Sequence, residues 1–413
     1  MKQITLTITA QAPLAIGQRK PGGSVSEAMD YIPGTVIRGA IAGQILRQTQ
    51  QSPAAGDDFY TLFVDEQSTV FCNGYPAIAK LGDDAYALRF EAISVLPATA
   101  LSSKTDSGFK PRKAGVFDSL IDSYCAREHG LFYEPNDVTG DRVEPFGGFY
   151  SKASNTYVTH STNKRLLTRV GINRQRATAQ DEMLYSLEVL NESQGKETPV
   201  PSVYRSTIVV NDDTVAEQLL AFIQANGDRT RLGGSASRGL GQVSIEANLG
   251  EVNTDPLPQR IEAFNTKLQE RWAQWNAFGI ADPNFLKERL FFTIGLQSDA
   301  IFTENWRRTM VLSETMLGQC VGISPSNIKL EMAYSSHDYR SGWNAAWGLP
   351  KDVELVTKIG GVFLYSTPKS EGDHWYEPLA KLERWGVGDR ANEGFGQIRV
   401  CDEFHQVMRE ASV

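Results

Sequence analysis

The sequence predicts a chain of two homologous α+β domains, and three observations support this. Residues 231–243 and 386–398 align without a gap, and each copy leads from a glycine-rich loop through Gly-x-Gly-Gln into a short strand. An apolar, strand-like segment precedes each copy, at residues 4–10 and 290–296. At 413 residues, the chain is also too long for one ordinary hydrophobic core. The aligned pairs are Gly233 and Gly388, Gly239 and Gly394, Gly241 and Gly396, Gln242 and Gln397, and Val243 and Ile398.

We expect the first domain to span residues 1–250, with a basic insertion, and the second to span residues 285–413. Residues 251–284 form the predicted linker helix. Its large apolar residues recur at helical spacing, which is more typical of interdomain packing than of a surface for stacking bases. These residues are Ile261, Phe264, Leu268, Trp272 and Trp275.

Composition limits the possible partners and cofactors. A net charge of -8 argues against nonspecific coverage by nucleic acid, although it permits a local basic groove. No apolar run reaches membrane-spanning length and the first residues enter a strand directly, so we expect a cytoplasmic protein with no membrane contact. The four cysteines are far apart, and Cys125 with His129 is at most half a metal motif. No metal or cofactor is therefore predicted.

The first predicted helix follows the turn at Pro33 and Gly34. Thr35 is a plausible N-cap, and a stripe of apolar residues continues from Val36 to Ile45. Gly39 and Gly43 weaken a helix, which suggests that another backbone passes close to that face. Arg38 lies in the first turn, where it either faces a ligand held by the preceding loop or remains a surface charge.

A basic segment without any acidic residue extends from residue 149 to residue 180. In an acidic chain such a run favours an anion as its partner. Apolar residues of the segment can anchor it to a sheet, while arginine and asparagine side chains project towards phosphates and base edges. The alternative is a salt-bridged surface hairpin. The predicted anchors are Val170, Ile172, Leu184 and Leu187, and the polar candidates are His160, Lys164, Arg165, Arg169, Asn173, Arg174 and Arg176.

The first glycine loop has the composition of a phosphate-binding loop. Glycine allows close backbone approach and presents N–H groups to an oxyanion, and arginines and serines surround the glycines here. The alternative is a tight turn that leads into an edge strand. The second loop carries Asp389 and Glu393 with Arg390 opposed to them, so it is more typical of a structural or protein-facing loop. The candidate residues of the first loop are Arg231, Gly233, Gly234, Ser235, Ser237 and Arg238.

Several of these motifs, in this order, resemble the RAMP superfamily of CRISPR effector subunits. They are the Tyr-Ile-Pro-Gly-Thr-Val-Ile-Arg-Gly-Ala sequence at 31–40, the glycine loops and their duplication. Residues 169–179, with Leu184-Tyr185, and residues 342–350 are more narrowly similar to the Csx-ten family of type III-D subunits, which is Cas-five-like. The resemblance implies two ferredoxin-like (RRM/RAMP) domains in tandem, the first with insertions, each ending in a glycine-rich loop plus strand.

The resemblance also implies a function in antiviral defence. The chain would be a non-catalytic subunit that binds crRNA, holds its 5′ tag and contacts the large polymerase/cyclase subunit and the backbone RAMP subunits. The first loop and the basic segment, as a hairpin, would grip the tag, with Thr35 and Arg38 nearby. Two alternatives remain. One is a RAMP-type endoribonuclease or a backbone subunit that cleaves target RNA, for which Glu27, Asp30 and His160 are the candidates. The other is a structural partner that contacts only protein.

Overall fold

The structure of the protein is a computed structural model. It describes residues 1–18, 27–49, 54, 56–82, 85–89, 91–154, 156–173, 176, 178–251, 256–279, 281–282, 285–323, 327–344 and 348–413, with only the backbone described for residues 173 and 178–183.

The described chain contains seven α-helices and twenty-nine β-strands. The α-helices are α1 (Gly34–Thr49), α2 (Asp58–Phe63), α3 (Leu120–Glu128), α4 (Asp213–Asn226), α5 (Leu257–Trp275), α6 (Glu314–Val321) and α7 (Asp373–Trp385). The strands before α5 are β1 (Lys2–Ala10), β2 (Gly17–Gln18), β3 (Glu27–Ala28), β4 (Thr69–Phe71), β5 (Tyr75–Pro76), β6 (Ile78–Lys80), β7 (Tyr86–Leu88), β8 (Ser94–Val95), β9 (Ala100–Ser103), β10 (Val116–Asp118), β11 (Val143–Pro145), β12 (Phe149–Ala153), β13 (Thr156–His160), β14 (Lys164–Asn173), β15 (Thr178–Leu190), β16 (Ser193–Gln194), β17 (Val200–Pro201), β18 (Val203–Val210) and β19 (Val243–Glu251). The strands after α5 are β20 (Arg289–Leu296), β21 (Phe302–Glu304), β22 (Arg307–Thr309), β23 (Lys329–Tyr334), β24 (His337–Arg340), β25 (Trp343–Asn344), β26 (Leu349–Pro350), β27 (Glu354–Thr357), β28 (Val362–Pro368) and β29 (Ile398–Val400).

Two antiparallel sheets share one topology. In the N-terminal sheet the strand order is β19-β1-β18-β4, and in the C-terminal sheet it is β29-β20-β28-β23. The elements that build them also correspond in chain order, because β1-α1-β4-β18-α4-β19 matches β20-α6-β23-β28-α7-β29. The chain is therefore a mixed α+β protein in which one arrangement occurs twice, and the long segment between β4 and β18 is inserted into the first copy.

Local sequence explains the main elements of the first sheet. The alternation along β1 buries Ile4, Leu6 and Ile8 completely against the helices, while the residues between them are partly exposed. Helix α4 begins after Asp212, whose side chain accepts hydrogen bonds from the first-turn N–H groups. Helix α1 begins at Gly34, whose N–H donates to Asn73 Oδ1 at 2.8 Å.

The close approach of backbone to α1 occurs at a different glycine from the two that the sequence indicated. A Cβ on Gly39 or Gly43 would meet nothing within 4 Å, whereas a Cβ on Gly34 would lie 1.9 Å from the carbonyl oxygen of Phe71. The expectation for Gly39 and Gly43 was wrong, because those positions face away from the contact and the helix is approached end-on.

The inserted segment reaches into the C-terminal core. Helix α3 places Leu120, Ile121 and Tyr124 in the same buried cluster as the second sheet, although it lies within the predicted first domain. Helix α5 packs there too, and the stripe predicted from the sequence is buried from Ile261 to Trp272. A boundary drawn along the sequence therefore differs from the boundary between the two cores, because α3 precedes α5 in the chain but packs in the C-terminal core.

Polar contacts beside the sheets join the N-terminal half of the chain, which precedes α5, to the C-terminal half, which follows it. Asp299 accepts a hydrogen bond from Tyr31 at 3.1 Å and one from Arg340 Nε at 2.6 Å. Arg340 Nη1 also donates to Asp338 at 2.8 Å, and Gln18 of the N-terminal half donates to the same carboxylate at 3.0 Å. These groups are largely buried, so the two halves are fixed by specific geometry as well as by apolar packing.

Candidate nucleic-acid interface

The two glycine loops have the same backbone structure, as their alignment predicted. The left-handed residues correspond, with Ser235 at φ 58° and Arg390 at φ 57°, and each loop contains one short 3-10 turn. The hydrogen bonds correspond as well. In the first loop the bonds run from Leu232 N to Gly241 O, Gly234 N to Ala15 O, Arg238 N to Ser235 O, and Gly241 N to Pro13 O. Their equivalents in the second loop, in the same order, run from Val387 N to Gly396 O, Asp389 N to Ile301 O, Glu393 N to Arg390 O, and Gly396 N to Asp299 O.

The second loop is covered by the N-terminal half. The start of helix α1 lies on it so closely that a Cβ on Gly394 would come within 3.3 Å of Gly34 Cα and 2.7 Å of Phe71 O. Asn392 in the same turn is buried. The sequence suggested a structural or protein-facing loop here, and the structure supplies the facing surface from the same chain.

A cluster of cations holds the carboxylate of Glu393 in this covered loop. Arg390 donates to it at 2.6 Å, Lys351 at 2.9 Å, and Arg38 lies 4.0 Å away. Burial alone would raise the pKa of Glu393, but the hydrogen bonds and charges of Arg390 and Lys351 outweigh burial and hold the pKa below its usual value. The charges of this loop are thus satisfied within the chain.

The first loop is open to solvent. Its turn lies on the backbone of the segment after β1, where a Cβ on Gly233 would come within 2.5 Å of Ala15 O. Arg231 braces the loop by donating to the carbonyls of Ala236 and Leu240, both at 3.3 Å. Within the described chain, no acceptor is found for the N–H of Gly233 or Ser235. An exposed, pre-shaped backbone with spare donors is a suitable site for an oxyanion.

The basic hairpin of β14 and β15 packs directly on this first loop. Leu167 and Leu187 lie against a small cluster of Ala15, Val189 and Leu240. Of the four predicted sheet anchors, Leu187 is the one that packs on the body of the molecule, and it packs at the first loop and not on a sheet. The hairpin and the loop together form one corner of the molecule.

Two arginines border that corner. Arg238 of the loop donates to the Tyr185 hydroxyl and lies over its ring, with Cζ 5.9 Å from the centroid. Arg169 is the cross-strand partner of Tyr185, so it lies on the same face of the hairpin. No described residue pairs with the Arg169 guanidinium. The two cations therefore share one face with the open loop.

Tyr185 is a residue of this corner that the sequence analysis named only within a motif and not among the candidate site residues. Its hydroxyl and ring fix Arg238, and this role depends on strand register. The alternation of side chains along β15 could have indicated this contact, because residues 185, 187 and 189 share the face that packs on the loop.

Three other basic residues of the acid-free run are paired with carboxylates that lie outside the run. Lys152 contacts Glu403 at 2.8 Å, Lys164 contacts Asp30 at 2.7 Å, and Arg165 contacts Glu192 at 3.0 Å. A run that lacks acids in sequence is thus partly neutralised in space. Lys164 and Arg165 anchor the base of the hairpin, which agrees in part with the alternative of a salt-bridged hairpin.

His160 does not belong to an RNA-facing surface. It is buried in β13, and its Nε2 lies 2.8 Å from Ser151 Oγ. Burial lowers the pKa of His160 to about 4, so the ring is neutral near pH 7. Its inclusion among the RNA-binding candidates was wrong because it is a core residue, and the same burial removes it from the solvent-facing catalytic candidates.

Thr35 and Arg38 lie at the start of α1, where the second loop packs. Arg38 donates to the carbonyl of Phe63 and faces Glu393. Burial lowers the pKa of Arg38. Both residues are therefore near a glycine loop, as expected, but it is the covered loop and not the first one.

The end of the hairpin is described in part. Asn173 pairs with Thr178 through the backbone, Arg176 is exposed, and Arg174 lies outside the described residues. Three of the predicted sheet anchors are instead exposed. They are Val170, Ile172 and Leu184, which lie on the hairpin face opposite to Leu187 or beyond the bulge after Val170. Their assignment was wrong because only one face of this two-stranded ribbon has a sheet or loop to pack against.

Cys125 and His129 have local roles in the fold. His129 Nδ1 lies 2.6 Å from the Cys125 carbonyl, and its Nε2 lies 2.8 Å from Asn276 Oδ1. Burial raises the pKa of the Cys125 thiol. Across the described residues, no three His, Cys, Asp or Glu side chains come together in a way that could hold a metal ion. No helix in that part of the chain is long and apolar enough to cross a membrane.

Comparisons with known proteins give a family and several structural likenesses. A chain in the cryo-EM structure of the type III-B Cmr-beta bound to cognate target RNA and AMPPnP, state 1, is 13% identical, with a TM-score of 0.37 and coverage of 90% of this chain and 88% of that one. A chain in the structure of the Cmr-beta bound to cognate target RNA is 11% identical, with a TM-score of 0.39 and coverage of 95% and 96%. No curated protein sequence matches. The RAMP superfamily model matches residues 7–244, more than half of the sequence, and the chain therefore belongs to the RAMP superfamily.

Proposed function

We propose that this chain is a non-catalytic crRNA-binding subunit of a type III CRISPR effector complex, of the Csx-ten family. In this proposal it holds the 5′ tag of the guide RNA and contacts the large subunit and the backbone RAMP subunits. The observation that carries the proposal is the contrast between the two glycine loops. One is closed by the chain itself, and the other is open and bordered by Arg169 and Arg238.

The geometry of the open loop suits a single-stranded phosphate backbone. Arginine presents a planar fork of donors that matches phosphate, and the spare N–H groups of Gly233 and Ser235 add donors without charge. Tyr185 holds Arg238 in place, which reduces the side-chain entropy that binding would otherwise cost. Ser237 is exposed beside them and can bond a phosphate or a base edge.

We further propose that each half is a ferredoxin-like domain of the RRM type. The matching element order and the shared strand order support this assignment. In this interpretation the hairpin and the other sheets formed by strands between β4 and β18 are insertions into the first domain, and the first glycine loop leads into its last strand.

The non-catalytic assignment makes a separate prediction about Asp30. Its carboxylate lies 2.7 Å from Lys164 Nζ at the base of the hairpin, which fits a charge partner. We expect the purified chain to leave both tag and target RNA intact. If wild-type chain cleaves RNA and Asp30→Ala abolishes cleavage in folded protein, the endoribonuclease alternative is correct.

Ultraviolet crosslinking to a guide RNA with its 5′ tag tests the binding site directly. We expect crosslinked peptides from residues 164–190 and 231–241, and we expect the double substitution Arg169→Ala with Arg238→Ala to lose most of them. Arg174→Ala and Arg176→Ala should each weaken binding to a smaller extent. A matched control is Arg165→Ala, because Arg165 lies on the same strand but is paired with Glu192.

Crosslinks that map elsewhere, for example to the second loop, would contradict the proposed site. A chain that joins the protein complex but yields no RNA crosslink would favour the alternative of a purely structural partner.

A further inference from the structure

The turn between β21 and β22 projects a tryptophan into solvent. Trp306 is 99% exposed, and with Asn305 it forms a two-residue turn in which both residues have positive φ, 65° and 49°. Asparagine tolerates this conformation, but for a bulky residue it costs about 1–2 kcal/mol. A side chain so exposed adds almost nothing to the packing of its own chain. Backbone strain at Trp306 that adds no stability to the fold indicates a function for this side chain other than folding.

The arms of this hairpin are held rigidly against the covered glycine loop. Thr303 Oγ1 donates to Asp389 at 2.7 Å, and Arg308 bridges Asp389 and Glu354, both at 2.6 Å. On the same arm as Thr303, Glu304 accepts a hydrogen bond from Ser313 at 2.6 Å. The tryptophan is therefore presented from a fixed base, which lowers the entropy cost of binding through it.

The charges around the turn do not favour RNA. Arg308 is neutralised by two carboxylates, and Glu304 is a third carboxylate beside the turn. Arg307 is exposed, and among the described residues none pairs with its guanidinium. Two arginines thus face three carboxylates, so the turn has no net positive charge, whereas affinity for RNA comes mainly from lysine and arginine side chains that neutralise phosphates.

We propose that Trp306 is a protein-docking anchor that inserts into an apolar pocket of another subunit of the effector complex, with a carboxylate at the pocket rim for Arg307. Both faces and the edge of the indole are exposed, so a pocket can bury the whole ring, whereas a stacked base would cover one face. Tryptophan beside arginine is a typical composition of an energetic hot spot in protein interfaces. The choice of a complex subunit as acceptor rests on the proposed function.

The test uses the purified chain and the effector complex assembled without it. Trp306→Gly removes the ring and suits the left-handed backbone, so the variant should fold at least as well as the wild type. We expect its affinity for the complex to fall at least about tenfold, as for a hot-spot residue. Arg307→Glu should weaken binding as well. Phe132→Ala is the matched control, because Phe132 is 93% exposed outside this hairpin and should leave the affinity unchanged.

Each other result overturns the proposal. Equal affinity of Trp306→Gly and wild type, or a wild-type chain that binds no subunit, removes the docking role. Loss of RNA affinity in isolated Trp306→Gly makes the turn an RNA site. Self-association of the isolated chain that this variant abolishes makes the acceptor a second copy. Failure of the proposed function is distinguishable, because it appears as unchanged RNA binding in Arg169→Ala with Arg238→Ala whatever Trp306→Gly does.

Discussion

The two glycine loops show how one backbone can serve two purposes. Their left-handed residues correspond between Gly233 and Gly241 and between Gly388 and Gly396, and four pairs of backbone hydrogen bonds correspond as well. The second loop is closed by the start of helix α1, with Glu393 bound by cations, whereas the first loop is open and bordered by Arg169 and Arg238. The backbone conformation of a loop thus fixes where its N–H groups point, whereas the neighbouring surface determines what they contact.

The largest expected effect is at the contact that closes the second loop. Gly34→Ala would place a methyl group 1.9 Å from Phe71 O in β4 and 2.9 Å from Glu393 O in the second loop, so we expect a loss of about 3 kcal/mol in the free energy of unfolding. The matched control is Gly39→Ala in the same helix, which meets nothing within 4 Å and should gain about 0.5–1 kcal/mol. Urea denaturation measures both. Similar stability for the two variants would mean that neither backbone oxygen lies this close to Gly34.

Equivalent glycines in the two loops give the next test. Gly394→Ala and Gly239→Ala share the left-handed strain of about 1–2 kcal/mol, since their φ angles are 93° and 84°. Only Gly394 faces a neighbour, 2.7 Å from Phe71 O, and its substitution should cost about 1–3 kcal/mol more. Urea midpoints compare the two variants directly. Equal losses would show that the second loop is as open as the first.

The buried carboxylate of the second loop predicts a smaller effect that depends on pH. Because the pKa of Glu393 is lower in the folded chain, its stabilisation is present above the unfolded pKa and is lost as pH falls through the folded value. Glu393→Gln should cost roughly 1–3 kcal/mol at neutral pH and less in acid, when measured by urea denaturation.

Glu251→Gln is the matched control for the carboxylate test. Glu251 contacts Lys2 at 2.5 Å but is largely exposed, so its substitution should cost about 1 kcal/mol at most. A pH-independent loss in Glu393→Gln would mean that its charge is not what holds the loop.

The sequence predicted the loops better than it predicted their surroundings. Glycines that require positive φ leave a local pattern, so the shape of both loops could be predicted from residues such as Gly233 and Gly388. The partners of Lys164 and Arg165 come from residues outside the acid-free run, and nothing in that run indicates Asp30 or Glu192. His160 was misassigned for the same reason, since burial is decided by packing of distant strands.

The salt dependence of RNA binding tests whether the open loop, and not the covered loop, contacts phosphate. The measurement compares Arg238→Ala in the open loop with Arg390→Ala in the covered loop, using a guide RNA carrying the 5′ tag. We expect Arg238→Ala to weaken binding and to reduce the slope of log affinity against log salt concentration by about 0.7, the value for one single-strand phosphate contact. Arg390→Ala should leave affinity and slope unchanged. Equal slopes in Arg238→Ala and wild type, or a reduced slope in Arg390→Ala, would contradict the proposed role of the open loop in RNA binding.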